Sequence, residues 1–188
     1  FALADEKISA LVSGERAKIL DILQASPDRV EPQCPYFGAC GGCAVQHLEF
    51  QTYIHWKRQV IVRALLNRHI KVHVENLIDA HGRGRRRAVL HVYEANGQVQ
   101  VGFMQARSQK LVVIKSCPIL APELTKATDI ARDIAKYLLN SGKALNIQLT
   151  VSETGLDCTI IGAKNLDLSA RMGLSDCAGK YQTQKSSI

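Results

Sequence analysis

The sequence predicts an α+β fold: a mainly antiparallel sheet with two or three helices and a cysteine-rich loop. Three observations carry this expectation. Alternating apolar runs come in adjacent pairs, the arrangement of hairpins rather than of parallel crossovers. Asn96-Gly97 separates two of these runs and is a strong type I′ turn signal. Two longer segments place apolar residues at helical spacing instead.

In chain order, residues 8–24 alternate weakly, with Ser13-Gly14 as a turn between two expected strands. Ser26-Pro27-Asp28-Arg29 and Glu31-Pro32 form a linker into the cysteine loop. A helix is expected next, because Phe50, Tyr53, Ile54, Val60, Ile61, Ala64 and Leu65 recur at helical intervals, with Lys57, Arg58, Arg63 and Arg68 between them. Residues 86–93 and 99–104 make the Asn96-Gly97 hairpin, and residues 111–114 add a strand. Pro122-Glu123-Leu124 opens a second helix, with Leu124, Ile130, Ile134, Leu138 and Leu139 as its buried stripe and Ser141-Gly142 as its stop. Residues 144–151 and 156–161 read as a second hairpin through Glu153-Thr154-Gly155. From Leu174 onward the chain is polar and patternless, and residues 175–188 are expected to be an irregular tail.

The 188 residues carry 24 Lys and Arg against 17 Asp and Glu, a net charge of +7. The surplus is concentrated: residues 55–115 hold 12 basic and 3 acidic groups, whereas residues 1–54 are net negative. Such a basic segment favours a polyanionic partner, most often nucleic acid. No apolar run approaches the ~20 residues of a membrane-spanning helix, so no membrane role is expected. Phe1–Glu6 lacks the basic and apolar regions of a signal peptide, and the missing initiator Met points to a start inside a longer chain. A complete G-x-G-x-x-G loop, a Walker A motif, a metalloprotease motif and a nucleophile elbow are all absent.

Six cysteines lie at 34, 40, 43, 117, 158 and 177. The first three form Cys34-Pro35-Tyr36-Phe37-Gly38-Ala39-Cys40-Gly41-Gly42-Cys43, a C-x5-C-x2-C loop with one proline and three glycines. Neither a regular helix nor a strand suits that composition. A loop that folds back turns several thiolates towards one point, which is what an iron–sulfur cluster needs. Gly41 and Gly42 permit close backbone approach to a cluster. The best fourth ligand is Cys117, which precedes Pro118 and follows an apolar strand-like run. A four-cysteine zinc site is the second reading, disfavoured because zinc usually takes two C-x2–4-C knuckles. Unliganded thiols are the third. Either metal implies a reducing compartment and hence the cytoplasm. Cys158 reads as a small core residue and Cys177 as incidental.

Cys34 through Cys43, then Ala44-Val45-Gln46-His47-Leu48 and Trp56-Lys57-Arg58, resemble the iron–sulfur segment of the bacterial RNA uracil-5 methyltransferases. Val101-Gly102-Phe103, Ile114-Lys115-Ser116-Cys117-Pro118-Ile119-Leu120, Ser26-Pro27-Asp28-Arg29-Val30 and Thr154-Gly155-Leu156-Asp157 extend the resemblance from about Gly14 to about Leu168. It implies a small OB-like RNA-binding barrel (TRAM), then a central [4Fe–4S] domain, then an S-adenosylmethionine-dependent domain. Such enzymes methylate C5 of a uridine in rRNA or tRNA. Carried onto this sequence, the cluster ligands are Cys34, Cys40, Cys43 and Cys117. Residues 1–25 then correspond to remnant strands of the barrel, and residues 26–174 to the central iron–sulfur RNA-binding domain.

The methyltransferase domain has no counterpart in these residues, so no catalytic residue is assigned and S-adenosylmethionine is expected only through a domain not present here. The partner expected is structured RNA, bound by a monomer. Arg83, Arg85, Arg86 and Arg87, with Arg107 and Lys110, are the candidate RNA-binding cations, reaching phosphates or stacking on splayed bases. Tyr53 and Trp56 are expected to pack over the cluster, with base stacking as the second reading. His47 is expected to hydrogen-bond near the cluster rather than to ligate it. A free-standing metal-stabilised nucleic-acid-binding module, with iron–sulfur or zinc, is the alternative. A small electron-transfer protein is the weaker third, since such proteins tend to be acidic.

Overall fold

The structure, a computed structural model, describes residues 1–79, 84–139, 144–163 and 166–182. It divides into two units, Phe1–Gly38 with Cys43–Asp79, and Ala39–Gly42 with Ala80–Ile188.

In the first unit, β1 (Lys7–Ser13) and β2 (Arg16–Gln24) pair as an antiparallel hairpin. Gly14 makes the turn at φ +58°, a left-handed conformation natural to glycine. Leu11, Val12, Leu20 and Leu23 are exposed on this two-stranded sheet, which closes no barrel among the described residues. Below the hairpin, the Arg29 guanidinium donates to both carboxylate oxygens of Glu6, which also accepts from the amides of Leu3 and Ser26. The helix expected after the cysteine loop is α1 (Phe50–Leu66). The Glu49 carboxylate accepts from the Thr52 amide at 2.8 Å and caps its start. The helix ends at Asn67, two residues before His69 turns to φ +58°.

The second unit is built on a five-stranded antiparallel sheet of order β5-β4-β3-β6-β7. Its strands are β3 (Arg87–Ala95), β4 (Gln98–Met104), β5 (Leu111–Val113), β6 (Leu145–Val151) and β7 (Leu156–Ile161). Asn96 and Gly97 both take positive φ, 53° and 73°, as a type I′ hairpin requires. Side chains alternate across a pleated strand. Ala88, Leu90 and Val92 of β3 and Leu145, Ile147, Leu149 and Val151 of β6 are therefore buried together. α2 (Ala127–Leu138) covers this face with Ala127, Ile130, Ala131, Ile134 and Ala135. Each large side chain buried here contributes about 1.5–3 kcal/mol.

Three expectations are corrected. The helix opening at Pro122 is two pieces. Pro122–Leu124 is a 3-10 turn, and the Thr125 hydroxyl donates to the Pro122 carbonyl at 2.6 Å, so a side chain takes a bond that would otherwise carry the helix on. The irregular tail is in fact α3 (Leu168–Gln182), and the boundary expected at residue 174 falls inside it. Its own apolar pattern is weak, and α3 instead docks on α2. Gly173 lies so close to the Tyr137 ring that a Cβ there would come within 2.2 Å of it, and Ala170 and Cys177 are buried. Cys158 is an exposed residue on the edge strand β7 rather than a core one. The predicted helix stop at Ser141-Gly142 lies outside the described residues. No described helix is long and apolar enough to cross a membrane.

Candidate functional site

Part of the cysteine loop belongs to the second unit and is held there by backbone. The Gly41 amide donates to the Met104 carbonyl at 2.9 Å, and Cys40 pairs with Gln105 as a single antiparallel bridge. The approach needs glycine, because a Cβ at Gly41 would lie 2.8 Å from the Ala106 nitrogen. The turn it meets, between β4 and β5, closes through the Gln105 amide on the Lys110 carbonyl at 2.9 Å. That turn carries Arg107, at φ +55°, and Lys110, both exposed.

Arg85 joins this corner from the other side. Its amide donates to the Ile119 carbonyl at 2.8 Å and its carbonyl accepts from the Ala121 amide at 3.0 Å, which ties it to the segment following Cys117. Its guanidinium donates to the Gly42 carbonyl at 3.4 Å. The Gly42 amide in turn points at the Cys40 sulfur, 3.4 Å away. Cys40, the segment after Cys117, Arg85 and the turn bearing Arg107 and Lys110 are thus linked by hydrogen bonds within one unit. Arg86 donates to the Val151 carbonyl at 3.1 Å, and Arg85, Arg86 and Arg87 are all exposed. Arg83 lies outside the described residues.

Cys34 and Cys43 belong to the first unit. The Cys34 amide donates to Oε1 of Gln46 at 3.2 Å. His47 is 1% exposed, and neither ring nitrogen has a hydrogen-bond partner among the described residues. The rings of Phe37 and Phe1 stand 5.1 and 6.1 Å from it. Burial, then the Arg29 charge, lowers its pKa, which favours the neutral imidazole.

All four candidate ligands are half-buried thiols rather than disulfides, the donor chemistry of an iron–sulfur or zinc site. Neither unit holds more than two of them. Among the described residues, no three Cys, His, Asp or Glu side chains stand together as a metal-holding group. The donor type fits a thiolate-ligated group. The remaining cysteines are poor nucleophiles. Crowding, with the Asp157 carboxylate, pushes the Cys158 thiol up to about 11 although the residue as a whole is exposed, and burial raises Cys177.

One cluster was not anticipated from sequence. Asp133 on α2 accepts from Lys136, Lys180 and Tyr181, beside a cavity of about 400 Å³ also lined by Lys126, Asp129 and Arg132. These bonds hold its carboxyl well below the usual range. Lys180 and Tyr181 sit on the helix read as a tail, so no local signal linked them to Asp133.

No protein-family model matches the chain. Among known proteins, it is 33% identical over 175 residues to an uncharacterized RNA methyltransferase of Brucella suis, covering 93% of this chain and 42% of that protein. An uncharacterized RNA methyltransferase of Caulobacter vibrioides is 34% identical over 95% of this chain and 45% of its own length. The 23S rRNA (uracil(1939)-C(5))-methyltransferase RlmD of Halomonas elongata is 36% identical over 81% of this chain and 33% of its own length. The chain therefore spans less than half the length of these relatives. Over most of its residues it is similar to proteins of one kind, RNA methyltransferases, and one of these is a 23S rRNA uracil-C5 enzyme.

Proposed function

We propose that this chain is the RNA-binding, [4Fe–4S]-carrying portion of an S-adenosylmethionine-dependent RNA uracil-C5 methyltransferase acting on rRNA or tRNA. Cys34, Cys40, Cys43 and Cys117 hold the cluster, and methyl transfer belongs to a domain outside these residues. Residues 1–25 represent the end of a TRAM-like barrel, and residues from 26 onward the central domain. The protein works as a monomer in the cytoplasm.

The observation that carries this reading is the corner where the cysteine loop meets the basic residues. Gly41 docks on the turn that carries Arg107 and Lys110, and Arg85 bonds Gly42 while its backbone adjoins the segment after Cys117. Arg87, Arg107 and Lys110 are exposed cations suited to phosphate oxygens. The [4Fe–4S] group would supply a rigid cross-link between thiolates far apart in sequence. What the chain itself does is bind and orient RNA; Arg85 does both, since its side chain also holds the loop.

Anaerobic purification followed by iron, sulfide and zinc analysis tests the cofactor. About four irons and four sulfides per chain are expected, falling in Cys117→Ser. Stoichiometric zinc without sulfide overturns the cluster. RNA affinity measured against salt tests the partner: log affinity should fall linearly with log salt, and a flat dependence rejects phosphate binding.

A further inference from the structure

α1 spans 17 residues, none of them buried. It carries Lys57, Arg58 and Arg63 and no Asp or Glu. Ile54, Val62 and Leu65 are half-buried, and Arg58 is committed to the Val74 carbonyl through bonds of 3.0 and 2.7 Å. Residues 53, 56, 57 and 60 follow the i, i+3, i+4, i+7 spacing of one helix stripe. On it, the Tyr53 and Trp56 rings are 6.1 Å apart and tilted by 44°. The Lys57 ammonium stands 5.8 Å from the centroid of each. Trp56 is 45% exposed.

We propose that Tyr53, Trp56 and Lys57 form a stacking platform for an unpaired RNA base. The inference rests on the RNA-binding reading above and adds to it a contact on α1 for single-stranded nucleotides. An exposed indole offers a π-face to a base, and a lysine beside it offers a point charge to the adjoining phosphate. The stripe holds no carboxylate to repel a polyanion. Lys57 and Arg63 are interleaved with Val60 and Ile61, so the exposed face of the helix carries positive charge beside the rings, which suits a polyanion. With no side-chain amide in the stripe to read a base edge, the platform tolerates any base and rejects a paired one, whose faces are already stacked.

Trp56 is the single tryptophan of the chain, so tryptophan emission, excited where tyrosine does not absorb, reports on this position alone. The 188-residue protein is titrated with a labelled single-stranded oligoribonucleotide and with a duplex of the same sequence, following oligonucleotide anisotropy and protein emission together. Quenching by the single strand, and less by the duplex, is expected. Trp56→Ala should weaken single-strand binding by about 5- to 150-fold with circular dichroism unchanged, and Trp56→Phe should restore most of it. Lys57→Glu should weaken binding and flatten its salt dependence. Single-strand binding that leaves both emission and the Trp56→Ala affinity unchanged overturns the platform but not the RNA reading. No RNA binding by the wild type overturns the RNA reading, and the platform with it. A blue shift that grows with protein concentration without RNA means that another copy covers the helix, and also overturns the platform.

Discussion

The guanidinium of Arg85 donates to the carbonyl of Gly42 at 3.4 Å, tying a candidate RNA-binding cation to the backbone between Cys40 and Cys43. Arginines adjacent in sequence therefore have different work. All three are exposed, but Arg85 also bonds the loop and Arg86 the end of β6 through Val151.

Single substitutions separate these roles. Arg87→Ala should weaken RNA binding and reduce the salt slope by about one, leaving the loop intact. Arg85→Ala should weaken binding and also speed hydrogen exchange at the Gly41 amide, which now donates to Met104. Equal exchange in the two variants would remove the structural role given to Arg85.

Gly102 is buried on β4, and a Cβ there would sit 1.9 Å from the Val112 carbonyl oxygen. The obstacle is backbone, so β4 and β5 would have to part. Gly102→Ala should lose about 3 kcal/mol in urea unfolding. It should also loosen the turn against which Gly41 docks. A midpoint unchanged from wild type would contradict this packing.

Glu6 titrates low, at about 2, first because the Arg29 guanidinium bonds its carboxylate, with burial opposing. A depressed carboxyl stabilises the fold above its unfolded value, about 4.5, and that contribution disappears as pH falls towards 2. Melting temperature should therefore drop between these limits in the wild type, and drop less in Glu6→Gln. Parallel curves would show that the pair does not stabilise the first unit.

Leu90 and Ile147 face one another in neighbouring strands and are 0% exposed. Leu90→Ala or Ile147→Ala should cost about 2–5 kcal/mol, because the sheet and α2 cannot collapse fully into the space left. A loss below 1 kcal/mol in equilibrium unfolding would place these side chains outside the core.

α3 tests a docking that no local pattern announces. Asp133→Asn weakens what Lys180 and Tyr181 donate to. It should increase proteolysis within Leu168–Gln182 while leaving the sheet protected. Uniform protection would mean that Gly173 against Tyr137 suffices.

What the sequence determined by itself is the part written over short stretches. The Asn96-Gly97 turn, the alternation of β3 and β6, the helix after the cysteine loop and the family resemblance all sit in neighbouring residues, where turn chemistry and periodicity act directly. Tertiary structure decided the rest. It divided the cysteines between two units, with Cys34 and Cys43 in one and Cys40 and Cys117 in the other. It made a helix of the patternless tail by giving it α2 to lean on, through residues 47 and 48 positions apart. It left Trp56 45% exposed on α1 beside Tyr53. The physical reason is common to all three: whether a side chain is buried, paired or available depends on surfaces brought together from distant segments, and periodicity records only which face a residue occupies.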